Sequence, residues 1–458
     1  MRLVPGSPEG VDHMTPDVSG SAGDDDAHGA LRLPRPPDGI HARAAQTAQS
    51  SYHLGMDTSA LHGLAPSLPL TDETLLAAWR VKADNLQRAF AHYQARETHL
   101  TSLPFRSIIE LTQNCNYKCP MCAQAWDPKY QRFDPDLNMP LETFIRIGEQ
   151  LFPTAIMVDL HGFGETTILP YWPDVVDYLE RFPFIEWNLV TNLSLSRDEV
   201  WDKMMALNFR IGFSCDGASK ETFESIRVGS SFERTLHNLG ALRDARRRHR
   251  RGTVYFLSTV QRSAVHELRA LVELAHAYEV PEVQFKIVQG GREVSLEDQL
   301  RSIGDLSMSR HVEAAVDAAL ELGVRVTFND PVFVRRLDPE KLARVSAPIV
   351  APLSPKSFWG APGSAAMAPY LAQLDDSFRV AVNKNCFKPF SFAYLTYQSE
   401  VGPCNCMMPN PPPLGNLARE SLAQIWNNDA FQTFRRGILD GRPADERCQW
   451  CFEHRVED

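Results

Sequence analysis

No run of about 18 apolar residues, the minimum that spans a bilayer, occurs in the 458-residue sequence. A membrane-spanning helix is therefore not expected. Cysteine is scarce, with nine residues and hence an odd number, which excludes a disulfide scaffold. An excess of positive charge is also missing: 47 basic residues against 57 acidic ones give a net charge of −10. That balance lacks the electrostatic footprint of a dedicated nucleic-acid binder, so no nucleic-acid partner is expected. The first residues carry no compact apolar stretch of the signal-peptide kind, and a cytoplasmic location with reduced thiols is the expectation.

Residues 1–70 lack Cys, Trp and Phe altogether and hold a single Tyr, Tyr52. They carry eight Gly, eight Pro, and four Arg against eight acidic residues. Such a segment buries too little to offset its ordering entropy, and a disordered tail is expected. The remainder is different. Hydrophobic residues make up 43% of the whole chain, ample for a core, and the length suggests roughly three domains or two large ones with tails.

Residues 71–103 are expected to hold a helix over Asp72–Arg96, with Thr71 as N-cap and Leu75, Trp79, Leu86, Phe90 and Tyr93 on one face. Residues 104–330 alternate strand and helix patterns. Strand-like stretches fall at Ser107–Leu111, Ala155–Leu160, Glu186–Val190, Phe209–Ser214, Val254–Thr259 and Val283–Val288. Helical patterns lie at Leu141–Leu151, Pro173–Arg181, Phe232–Arg246, Val265–Tyr278 and His311–Leu322. The rhythm predicts an α/β fold with a partial (β/α)6-type parallel barrel, and Arg325–Phe328 is a seventh strand candidate. Proline and glycine break the rhythm over residues 331–379, a loop-rich connection. Residues 380–458 contain five of the nine cysteines and a helical pattern around Leu422–Ile438. A small domain with so little apolar material invites an inorganic staple.

The first strand runs into Cys115-x3-Cys119-x2-Cys122, three thiols that can converge on one centre from one loop. Zinc would need a fourth protein ligand, and none occurs before His161. A [4Fe–4S] cluster on three thiolates instead keeps one iron open. His161 flanks a glycine turn, where a hydrogen-bonding role is the expectation. In His161-Gly162-Phe163-Gly164-Glu165, glycines allow close backbone approach and a carboxylate can meet an ammonium. Cys215, on the fourth strand, reads as a small buried hydrophobe. The basic run Arg246–Arg251 sits at a helix end, where cations are favoured.

These motifs, in this order, resemble the radical S-adenosylmethionine (SAM) enzymes over residues 104–290. The resemblance implies that Cys115, Cys119 and Cys122 hold a [4Fe–4S] cluster whose open iron binds SAM. Gly162, Gly164 and Glu165 resemble the family's Gly-Gly-Glu-Pro motif, with Thr166 in place of proline. Thr191 and Asn192 resemble its Thr-Asn turn near the SAM ribose, and Ser214 and Arg227 its Ser-x-Asp-Gly segment and later arginine, which implies that Ser214 hydrogen-bonds SAM and Arg227 pairs with its carboxylate. The distribution Cys386, Cys404, Cys448 and Cys451 resembles the SPASM and twitch extensions of these enzymes. It implies one auxiliary [4Fe–4S] cluster, with Cys406 left over as spectator, alternative ligand or hydrogen donor.

The function implied is a radical SAM oxidoreductase that removes a hydrogen atom and oxidises a small carbohydrate or cyclitol alcohol. Rivals within the class are peptide maturation and epimerisation with a cysteine hydrogen donor. A zinc-stapled binding protein is the alternative outside it. Expected partners are a small-molecule or peptide substrate and an electron donor such as flavodoxin or ferredoxin.

Overall fold

A computed structural model describes residues 72–288, 305–334, 336–346, 386–405, 413–443 and 445–449. The expected N-cap Thr71, the tail before it, Cys406 and Cys451 lie outside these residues. All six expected strands form. They are β1 (Arg106–Ile109), β2 (Met157–Asp159), β3 (Glu186–Thr191), β4 (Arg210–Ser214), β5 (Thr253–Val260) and β6 (Glu282–Ile287). Arg325–Phe328 joins them as β7, and each strand pairs in parallel with the one before it.

Side chains alternate across each strand. Ile109, Val158, Leu189, Ile211, Phe256, Val283 and Val326 point outward into the helical layer and are fully buried there. The opposite face is polar and carries Arg106, Asp159, Glu186, Arg210, Glu282 and Arg325. Asp159 on β2 acts electrostatically on Tyr255 on β5, and Lys286 of β6 on His161, just past β2. In a flat sheet four strand spacings would separate β2 from β6 by about 19 Å. The sheet is therefore curled into a trough with its polar face inside.

The carboxy-terminal segment extends this sheet. Strand β8 (Phe392–Leu395) pairs in parallel with β1, Ile109 opposite Leu395. Strands β9 (Glu400–Gly402) and β10 (Gly415–Asn416) follow antiparallel, giving the order β10-β9-β8-β1-β2-β3-β4-β5-β6-β7. The segment is further tied to the amino-terminal helix Asp72–Gln94 by Phe90, stacked on Phe387 at 4.9 Å. The buried Arg435 donates to the carbonyls of Thr98, Pro389 and Trp426.

Several helices differ from expectation. Val265–Tyr278 is Leu268–Ala277 after a 3-10 stretch Arg262–Glu267. The connection expected to be loop-rich holds the helices Pro331–Val334 and Pro339–Ser346. The helix expected over Asp72–Arg96 ends at Gln94, and Arg96 already has a left-handed φ of 57°. The single helix expected around Leu422–Ile438 is two, Leu422–Trp426 and Asp429–Leu439. Asn428 causes the break: its side chain accepts from Phe431 N–H at 2.9 Å and caps the second helix, a role for which asparagine is favoured over continuing a helix. Among the described residues no helix is long and apolar enough to cross a membrane.

Candidate active site

At the carboxy-terminal end of β1 the chain enters the cysteine loop, which is pinned along its length. Thr112 Oγ1 donates to Asn138 Oδ1 at 2.6 Å and accepts from Asn114 N–H at 2.9 Å. Asn116 Nδ2 donates to Ser194 Oγ at 2.9 Å, and Asn116 Oδ1 accepts from Asn192 Nδ2 at 2.9 Å. Lys118 N–H donates to Val228 O at 2.9 Å. Small polar residues before and between the cysteines thus fasten the loop, Asn116 to the residues that follow β3.

Cys115, Cys119 and Cys122 all border one cavity of about 390 Å³. Burial raises all three thiols, Cys115 to about 12, so they need a nearby positive centre to ionise. Among the described residues no three ligating side chains are gathered as tightly as a single ion requires. Three thiols that border one cavity and act electrostatically on one another fit a multi-iron cluster with one thiolate on each of three irons.

Every residue that the resemblance assigned to SAM borders the same cavity: Gly162, Gly164, Glu165, Thr191, Asn192, Ser214 and Arg227. A Cβ on Gly164 would lie 2.4 Å from the Asn114 carbonyl oxygen, so that position holds glycine because the cysteine loop passes against it. Glu165 is buried and already caged. Its Oε1 accepts from Thr167 N–H, Thr167 Oγ1 and Thr191 Oγ1, and its Oε2 from Asn192 N–H at 2.6 Å. Burial still raises its pKa, and no cation faces it among the described residues. Thr166, in place of proline, donates from Oγ1 to Leu160 O at 2.9 Å and so closes the turn.

Arg227 is held by the protein itself: Nε lies 2.6 Å from Asp216 Oδ2 and Nη1 3.9 Å from Cys119 Sγ. Cys215 is fully buried in the apolar core on the far side of β4, with Sγ 3.6 Å from Gly217 O. The basic run pairs at the surface, Arg247 with Glu279 and His249 with Asp202. Among the described residues His161 Nδ1 is buried without a hydrogen-bond partner, and the ring borders the cavity.

Sequence reasoning missed several lining groups, among them Gln124, Thr259 and Lys286. Thr259 and Lys286 are register neighbours at the ends of β5 and β6. They lie near the ends of their strands on the face that carries Ser214, two residues beyond it in register, and that alternation was the available signal. Glu110 was also missed. It ends β1, accepts from Phe163 N–H at 2.9 Å and Gln113 Nε2 at 3.1 Å, and fills the space a Gly162 side chain would need.

In the carboxy-terminal segment Cys404 is buried and Cys386 and Cys448 are half-buried. Cys404 and Cys448 both act electrostatically on Arg447, which brings these two ends of the segment together.

Family profiles match twice. Residues 109–275 match the radical SAM superfamily and residues 386–452 the SPASM iron–sulfur cluster-binding domain. A cofactor-modifying protein for a tungsten-containing aldehyde ferredoxin oxidoreductase, from Pyrococcus furiosus, is 29% identical over 102 residues, 22% of this chain and 27% of that protein. An S-adenosyl-L-methionine-dependent 2-deoxy-scyllo-inosamine dehydrogenase from Niallia circulans is 30% identical over 70 residues, 15% of this chain and 28% of that protein. The matched stretches thus span little more than a quarter of either relative. Streptococcus suis SuiB bound to S-adenosylmethionine superposes with a TM-score of 0.50 at 13% identity, over 76% of this chain and 72% of that one, a likeness of fold.

Cysteine loop, polar trough and profile together place the chain in the radical SAM superfamily. More narrowly, it is a radical SAM enzyme with a SPASM domain. A [4Fe–4S] cluster and SAM belong to the first part, and additional iron–sulfur to the second.

Proposed function

We propose that this enzyme is a radical SAM oxidoreductase that oxidises an alcohol of a small carbohydrate or cyclitol in natural-product biosynthesis, with one auxiliary [4Fe–4S] cluster. The observation that carries this is the lining of the cavity: Thr259, Gln124, His161 and Lys286 present hydrogen-bonding groups beside the three thiols. A hydroxyl-rich substrate satisfies such walls, whereas an apolar one would leave buried donors unmet. The name of the Niallia circulans relative, a dehydrogenase of a cyclitol amine, points the same way.

When bound, SAM and its cluster would supply hydrogen-atom abstraction from the carbon bearing the hydroxyl, and the auxiliary cluster would take up the remaining electron as the hydroxyl proton leaves to solvent. The protein's own task is to orient and to exclude water. Glu165 Oε2, which accepts a single protein hydrogen bond, is the acceptor for the SAM ammonium. Ser214 and the remaining edge of Arg227 serve its carboxylate, while Asp216 fixes the guanidinium. Cys386, Cys404, Cys448 and Cys451 are the ligands of the auxiliary cluster. A flavodoxin or ferredoxin in the cytoplasm provides the reducing electron.

Anaerobically reconstituted enzyme, given SAM, a reductant and polyol candidates, is expected to release 5′-deoxyadenosine and a carbonyl product lacking two hydrogens. A product of unchanged mass carrying one solvent deuterium, lost in Cys406→Ala, would establish epimerisation instead. A thioether crosslink in a peptide would establish maturation.

A further inference from the structure

Two charges around the trough lack a counter-charge among the described residues, and they have opposite signs. The floor is balanced. Arg325 Nη1 lies 3.1 Å from Glu282 Oε1, and Arg210 Nη2 lies 3.7 Å from Glu282 Oε2. Arg106 is offset by Asp159 and Glu186. Three cations thus meet three anions. Higher up, Arg227 has Asp216, and Glu110 feels Lys129. The exceptions are Glu165, which on the proposed function receives the SAM ammonium, and Lys286.

Lys286 projects from β6 into the cavity and makes no ion pair or hydrogen bond among the described residues. The charge that acts on it is Arg210, of like sign, and burial further disfavours its ammonium. Across the cavity, within the field of Lys286, stands His161, whose buried Nδ1 has no partner among the described residues. A desolvated ammonium without a counter-ion is costly, and buried polar atoms are normally paired. Both unmet demands open on the cavity that holds the three thiols, and one anion meets both.

We infer that Lys286 and His161 bind an anionic group, carboxylate or phosphoryl, of the substrate, so that the molecule oxidised is an acidic polyol. The inference rests on the alcohol-oxidation proposal and narrows its substrate class. SAM's own carboxylate is served from the β4 side by Ser214 and Arg227, which leaves the β6 side for a second ligand.

The test uses reconstituted holoenzyme with saturating SAM, acetylated by a neutral succinimidyl ester and mapped by mass spectrometry. D-gluconate and inorganic phosphate are the probes, with myo-inositol and potassium chloride as neutral and ionic-strength controls. Gluconate or phosphate is expected to slow acetylation of Lys286 about fivefold or more while the controls do not. Whichever anion protects identifies the carboxylate or the phosphoryl source. Calorimetry should show anion binding retained in Lys286→Arg and lost in Lys286→Met, with SAM affinity within about twofold of wild type. Equal labelling under all conditions overturns the inference. So does a SAM affinity about tenfold weaker in Lys286→Met, which would assign Lys286 to SAM. Should Lys286→Met fail to fold, wild-type labelling decides alone. Labelling needs no turnover, so protection without an oxidised product would sink the oxidation proposal and leave the anion site standing.

Discussion

Asp216 and Arg227 form a buried ion pair, Oδ2 to Nε 2.6 Å, directly behind Cys119. The other Asp216 oxygen accepts from Thr259 N–H at 2.7 Å. One carboxylate therefore ties the helix-end arginine to β5 and aims its Nη1 at a thiol. Replacing Asp216 by Asn leaves the guanidinium buried with no counter-charge. Loss of one partner of such a pair costs about 3–5 kcal/mol, and urea denaturation of Asp216→Asn should show a loss of that order. A variant as stable as wild type would mean the pair contributes nothing net.

The two glycines of the turn after β2 should respond unequally. A methyl at Gly164 meets backbone, 2.4 Å from Asn114 O and 2.6 Å from Thr112 O, so the cysteine loop itself must move. A methyl at Gly162 meets the Glu110 side chain at 2.4 Å, which has rotamers to give. Gly164→Ala is expected to lower iron content after reconstitution and to weaken SAM binding about tenfold or more, Gly162→Ala less in both. Equilibrium dialysis and iron analysis check the order, and the reverse ranking would show that the loop is not held where this geometry puts it.

Metal content should separate the two cysteine groups. Cys115→Ala/Cys119→Ala/Cys122→Ala is expected to lose about four iron atoms per chain and all release of 5′-deoxyadenosine. Cys404→Ala should lose a similar amount of iron but keep 5′-deoxyadenosine release. Zinc without iron in the wild-type protein would sink the assignment of both sites.

Lys82 provides a pH signature far from the site. It is buried, donates to Phe152 O at 2.7 Å and Ala155 O at 2.6 Å, and burial lowers its pKa from 10.5 to about 7. Between these values the unfolded chain carries a proton that the folded chain lacks. Stability should therefore rise as pH increases through that window and fall toward its lower end. The full shift corresponds to at most about 5 kcal/mol, less the part that the two carbonyl acceptors return to the ammonium. Lys82→Met should flatten the profile in chemical denaturation measured across that range.

Much of the barrel was legible because its strands are short apolar and β-branched runs bounded by turn residues, as in Val254–Thr259. The cysteine loop and the Gly-x-Gly-Glu turn were legible because their spacing is local. What escaped notice depends on alternation and on partners distant in sequence. Lys286 and Thr259 gain meaning only when β5 and β6 stand in register, and Glu110 only when Gly162 is folded against it. The place of Phe392–Leu395 beside β1 was hidden for the same reason, since nothing in those four residues specifies which edge they extend. The alternation that puts Arg106, Asp159, Glu186 and Arg210 on one face was present in the strands, but the apolar partners between them drew attention to the core.

The pairing of β8 with β1 fastens the cysteine-bearing carboxy-terminal segment to the strand that feeds the Cys115 loop, with Ile109 opposite Leu395. Adjacent strands joined by backbone hydrogen bonds move as one body. Fluctuations that shift one set of thiols then carry the other along, so that on the proposed function the distance between the two iron–sulfur sites would be set by a ladder of backbone hydrogen bonds.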